Sequence, residues 1–268
     1  RTISTLGSQS GSQLDSQLDS HSESERDNRT ERQTDLPLVI AGPIVRKVTE
    51  DTCHIWLVTS LPSAPSIHLT QRGNNVEVEV EVEYHAESVQ VGQYAYIHLL
   101  SATALHKFSD SERIYYQLDF TDKATSEKWH IEQQGLLYRS QDSLSFHYTE
   151  TPETLLHGSC RKPHFDGDDA LAQVDTLIEK GLSGSSPLPD ILLMTGDQIY
   201  ADDVAGPMLK AIHQCCDLLG LYQESLDGAI VSNTAALSQH PHGFYERQQL
   251  LPQIATNTVL SSLFFGAK

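Results

Sequence analysis

Leu188-Pro-Asp-Ile-Leu-Leu-Met-Thr-Gly-Asp-Gln-Ile-Tyr-Ala-Asp-Asp203 is the stretch whose reading decides the fold. Pro189 fixes the entry, Ile191 to Met194 follow without polar interruption, and Gly196-Asp197 breaks the run where a buried strand would stop. An unbroken apolar run of this length predicts a strand of a parallel sheet, covered on both faces. Ligands of such sheets collect beyond the carboxyl ends of the strands, and that end carries Asp197, Tyr200, Asp202 and Asp203. The same spacing also fits an acidic βα turn whose Asp residues cap the next helix.

Upstream, Thr154-Leu-Leu-His157 is a second short apolar run, and it ends in Gly158-Ser-Cys-Arg161. Between the two runs, Asp168 or Asp169 can cap a helix whose apolar positions Leu171, Val174, Leu177, Ile178 and Leu182 follow helical spacing, with Gly181 near its end. Strand, helix and strand make one βαβ unit. A crossover of this kind implies parallel strands, so both tips lie at one edge of the sheet. Cys160, Asp197 and Tyr200 then become neighbours, provided the two strands are close within the sheet. A thiolate, a carboxylate able to bridge and a phenolate suit a trivalent ion such as iron beside a divalent one. Arg161 stands next to them with a planar fork suited to a phosphoryl oxygen. A cysteine alone reads as a buried small hydrophobe, and it is the strand-tip placement beside Arg161 that favours a ligand.

From Leu36 to about Tyr148 the texture is different: short runs of period two separated by turn residues. Leu38-Val-Ile40, His54 to Val58, Ser66 to Thr70, Val76 to Tyr84, Tyr94 to Leu100, Arg113 to Phe120 and Leu144 to Tyr148 have strand character. In Val76-Glu-Val-Glu-Val-Glu-Val-Glu-Tyr84 the alternation predicts one strand with a buried Val face and a wet Glu face. Roughly seven strands over about a hundred residues predict an antiparallel sandwich of immunoglobulin-like type. Trp56, in the middle of an apolar strand, reads as core packing. His54, His68, His98, His130 and His147 lack two-apart or four-apart ligand spacing and read as structural.

Residues 1–35 are rich in Ser, Gln, Asp and Glu and offer little aromatic or β-branched surface to offset backbone ordering, which predicts a disordered tail. The division is therefore a tail over 1–35, a β-sandwich over 36–150 and an α/β unit over 151–268. The chain begins at Arg1 rather than Met and stops at the apolar Phe264-Phe-Gly-Ala-Lys268, which predicts a piece of a longer protein. After Asp203 the sequence predicts helices. Met208, Leu209, Ile212, Cys216 and Leu219 form an apolar stripe after Pro207, and helical pieces broken at Gly228, Pro241 and Pro252 follow.

A formal net charge of -18 argues against a nucleic-acid surface, which needs clustered Lys and Arg, and none is expected. It does not exclude a phosphorylated small substrate, because bound cations reverse the potential of an acidic site. No apolar run is long enough to span a membrane. Four cysteines, Cys53, Cys160, Cys215 and Cys216, are too irregular for a disulfide framework, which points to a reducing, cytoplasmic compartment, with a periplasmic or secreted location as the alternative.

His157-Gly-Ser-Cys-Arg161, followed after a helix by Met194-Thr-Gly-Asp-Gln-Ile-Tyr-Ala-Asp202, resembles the alkaline phosphatase D (PhoD-like) family of calcineurin-like metallophosphoesterases. The resemblance implies a β-sandwich before an α/β phosphoesterase domain and a Gly-Asp-x-x-Tyr element at a two-metal site. It assigns Asp197 as the bridging ligand, Tyr200 as the iron ligand and Cys160 as the ligand in place of the usual first-strand Asp and His. The cofactors implied are iron plus a divalent ion such as calcium. The family's Asn-His element and later histidines are not recognisable before Lys268, so the resemblance implies a C-terminally incomplete domain and a partial site. The expected function is metal-dependent hydrolysis of phosphate esters, with Arg161 steadying the developing charge. The alternative is a non-catalytic binding module on a degenerate phosphoesterase scaffold.

Overall fold

The computed structural model describes residues 36–73, 76–110, 112–123, 125–131, 135–139, 141–162, 166–198, 200, 204–244 and 246–251. The expected tail over 1–35, Asp202, Asp203 and everything beyond 251 lie outside the described residues. The chain is mixed and sheet-rich, dominated by antiparallel pairing in an arrangement compatible with a β-sandwich.

Two antiparallel sheets form the larger part. One has the order β1 (Val39–Val48), β2 (Thr52–Thr59), β6 (Ala95–Ala104), β5 (Val82–Gly92). The other has the order β4 (Val76–Val80), β3 (Ser63–Gly73), β7 (Arg113–Asp122), β8 (Lys128–His130), and β9 (Leu144–His147) also pairs with β7. Alternation builds the core: Cys53, Ile55 and Leu57 of β2, Leu100 and Ala102 of β6, Ile67 and Leu69 of β3, and Ile114, Leu118 and Phe120 of β7 are buried in one cluster. Both sheets contribute to it, which is what binds them.

Three expectations change here. The Val-Glu repeat is two strands, not one: β4 pairs with β3 and β5 pairs with β6, so at Glu81 the chain leaves one sheet for the other. The repeat also lacks a uniformly dry face, since Val78 on the edge strand β4 is 56% exposed. Trp56 is half-buried rather than in the core. It alternates with Ile55 and Leu57, so their burial sends it to the outer face, beside Ile44 and Leu99 in register. An apolar run such as Ile55-Trp56-Leu57 does not reveal its own parity.

The smaller part begins with β10 (Leu155–Gly158), α1 (Ala170–Leu182) and β11 (Ile191–Met194). β10 and β11 pair in parallel, Leu155 opposite Ile191 through Gly158 opposite Met194, as the βαβ reading predicts. Asp169, not Asp168, is the N-cap, its carboxylate accepting from Leu171 N at 3.0 Å. The strands are not covered on both faces: Ile191, Leu192 and Leu193 are 39%, 46% and 45% exposed, because among the described residues this sheet has only two strands. The stripe on α2 (Gly206–Leu219) is likewise open, with Leu209 buried while Met208 and Ile212 are exposed. The helical pieces expected later reduce to α3 (Thr234–Gln239) and a single 3-10 turn, Arg247–Gln249, among the described residues. The end of α2 is tied to the β5–β6 hairpin, Tyr94 N donating to Leu219 O and Gln93 N to Gly220 O. No helix among the described residues is long and apolar enough to cross a membrane.

Candidate functional site

Parallel pairing carries both strands to a common edge, and hydrogen bonds continue past the strand ends. Thr195 N donates to Gly158 O at 3.0 Å and Cys160 N donates to Gly196 O at 3.1 Å. Just there the backbone turns. Gly196 adopts φ 130°, a conformation open to glycine, while Cys160 and Asp197 hold φ 55° and 53° in the left-handed region. Two non-glycine residues in that region side by side are uncommon, and such strain concentrates where side chains must be aimed.

The turns aim the side chains at each other. The Cys160 thiol donates to Asp197 Oδ2 at 3.3 Å, and the Tyr200 hydroxyl reaches the same oxygen at 3.5 Å. Ser159 Oγ lies 3.4 Å from Cys160 Sγ. Hydrogen bonding to Cys160, then burial, then the charges of Cys160 and Asp197 push the Tyr200 phenol up to about 12. The phenol therefore keeps its proton at neutral pH in the absence of a cation. Lys162 Nζ lies 5.9 Å from the Tyr200 ring centroid, the outer limit of a cation–π contact.

Arg161 stands beside Cys160 in sequence, but its fork is engaged. Nε lies 3.3 and 3.2 Å from the two Asp169 oxygens and Nη2 lies 2.6 Å from Oδ2. Asp169 thus serves two donors, the guanidinium and the first turn of α1. The Arg161 hydrogen bond, helped by that of Leu171 N, holds its carboxyl below the ordinary range, and Arg161 is raised in turn. Beside the tips lies an open cavity of about 290 Å³ whose lining includes Cys160, Arg161, Lys162, Leu171, Val174 and Met194.

The structure brings Cys160, Asp197 and Tyr200 together and places Arg161 on their flank. Asp202 and Asp203 lie outside the described residues. Among the described residues, no group of three or more His, Cys, Asp or Glu side chains could hold a metal ion, and the cluster at the tips counts two of these plus a tyrosine. Sequence reasoning missed the His157 to Thr195 hydrogen bond of 2.8 Å across the strands. It also missed Asp190, and a carboxylate immediately before an apolar strand was the signal available for it. Compared with known proteins, the chain matches no family model and no curated protein.

Proposed function

We propose that the chain carries part of a metallophosphoesterase site, a two-metal centre hydrolysing phosphate esters of small molecules, with 151–268 belonging to an α/β phosphoesterase domain. The observation that carries this reading is the convergence of the Cys160 thiol and the Tyr200 hydroxyl on one oxygen of Asp197. The residues present fit part of such a centre. A soft sulfur, a carboxylate and a phenol point to one spot, and Gln198 Oε1 is buried without a partner among the described residues. Cys160, Asp197 and Tyr200 would hold the iron, and Asp197 has a second oxygen with which to reach a divalent ion such as calcium.

When bound, such ions polarise the phosphoryl group as Lewis acids. The chain's own residues do the rest of what this site offers. On holding such an ion Cys160 and Tyr200 would release their protons to solvent, and the left-handed turns hold Cys160 and Asp197 in place. Arg161 presents a guanidinium beside the cavity, steadied by Asp169, to orient a phosphoryl oxygen. The apolar cavity wall of Leu171, Val174 and Met194 can take an organic group of the ester.

The test is metal content together with turnover of a phosphomonoester and a phosphodiester, for the wild type and Asp197→Asn. Bound iron that the variant loses supports the reading. Absence of both iron and hydrolysis, with the variant indistinguishable from wild type, overturns it and leaves the non-catalytic binding module.

A further inference from the structure

We propose that Asp190 is the positioning residue of the candidate site, a single carboxylate at the foot of β10 and β11 that fixes how their tips meet. Its Oδ2 accepts from Glu153 N at 2.9 Å and Thr154 N at 2.7 Å, the two residues leading into β10. Its Oδ1 lies 2.7 Å from His147 Nε2 at the end of β9. Its own N–H returns a bond to Thr154 O at 3.0 Å, and Ile191 N donates to the same carbonyl at 3.3 Å. One side chain therefore gathers the entries of both parallel strands and fastens them to β9, which pairs with the core strand β7 through Arg113 opposite His147.

This knot matters because little else sets the register. The ladder has four residue pairs, Leu155 opposite Ile191 through Gly158 opposite Met194. An isolated two-stranded sheet is at best marginal in water, and β11 gains little from burial, its first three residues being exposed. A slip of one residue in so short a ladder would separate Cys160 from Asp197. The polar bonds at the foot, the two backbone bonds at the tips and the His157 to Thr195 side-chain bond therefore carry the alignment. The foot is partly enclosed, His147 and Asp190 side chains each being 15% exposed, so their mutual hydrogen bond is partly shielded from water. Burial pushes the Asp190 carboxyl up, but the bonds from Thr154 N, His147 and Glu153 N outweigh it and hold the group below the ordinary range.

The functional weight of Asp190 rests on the reading of the tips as a ligand set, but its test uses neither metal nor turnover, so the two can fail separately. In a Cys215→Ser, Cys216→Ser background Cys160 is the accessible thiol, since Cys53 is buried. Three quantities are read: the rate of Cys160 modification by a maleimide, hydrogen exchange at the Cys160 and Thr195 amides, and melting followed by Trp56 and Trp129 fluorescence. Asp190→Ala is expected to deprotect both amides roughly tenfold, the scale of losing a charge-assisted hydrogen bond, and to raise modification of the already exposed Cys160 only by freeing its thiol from Asp197. Asp190→Asn, which keeps one acceptor oxygen, should fall between. His147→Gln, whose amide can still donate to Asp190, should stay near wild type while His147→Ala moves partway toward Asp190→Ala. Melting of the antiparallel part should be unchanged throughout. Unaltered tips in Asp190→Ala would overturn the proposal. So would tip exposure that appears only with a matching loss in tryptophan-reported melting, or His147→Gln behaving as His147→Ala.

Discussion

Cys160 Sγ lies 3.3 Å from Asp197 Oδ2 although the two residues are 37 positions apart in the chain. Each sits just past the end of its strand with a left-handed backbone, at φ 55° and 53°. The contact is thus set by two matched turns on parallel strands, and its consequences reach the neighbouring phenol.

Tyr200 should titrate abnormally. An ultraviolet titration of wild type minus Tyr200→Phe is expected to place its phenol near 12, above the usual tyrosine value. Cys160→Ala should bring that step back toward the ordinary range, because hydrogen bonding to Cys160 is the largest contribution to the shift. Added iron that lowers the step in wild type, but not in Asp197→Asn, would place the ion at this phenol.

Arg161 and Asp169 form a separable pair. Asp169→Asn keeps an acceptor for Leu171 N but removes the negative charge from the guanidinium, so inorganic phosphate should bind more tightly by calorimetry. Asp169→Ala should in addition deprotect the first turn of α1 in hydrogen exchange, since the cap is lost. Arg161→Ala should abolish the gain in phosphate binding in either background.

His98 makes stability pH-dependent. Its ring is 1% exposed and hydrogen-bonded between Thr59 Oγ1 and Ser88 Oγ, both at 2.8 Å. Burial, with a lesser contribution from Lys123, lowers its pKa from 6.5 to about 4. The unfolded chain takes up a proton near pH 6.5 that the folded chain refuses until about pH 4, so stability falls as pH drops through this window. The loss amounts to at most about 3 kcal/mol. Urea midpoints from pH 7 to pH 4 should show it, and His98→Gln should flatten the slope.

Leu100→Ala tests the shared core. Leu100 is fully buried in β6, between Ile55 of β2 and Ala86 of β5 in register. The substitution should lower unfolding free energy by about 2–5 kcal/mol, through lost transfer energy and the cavity left behind. Hydrogen exchange at the Cys160 amide should shift little if the parallel strands respond to their own foot more than to this core.

The sequence by itself determined the change of texture near 150, the parallel strands flanking α1, and the candidates Cys160, Arg161, Asp197 and Tyr200. These follow from local patterns: apolar runs stopped by glycine, and helical spacing behind an Asp cap. Only the tertiary structure decided the break at Glu81, the outward face of Trp56, the exposed sides of β11, and the engagement of Arg161 by Asp169. Each of these depends on what the rest of the chain places against a residue. Period-two spacing says that neighbours face opposite ways, but which way is inward, which edge gains a partner and which carboxylate captures a guanidinium are set by contacts between segments distant in the chain. Asp190 is the plainest case, an unremarked acidic residue in sequence that in space receives His147, Glu153 and Thr154 at once.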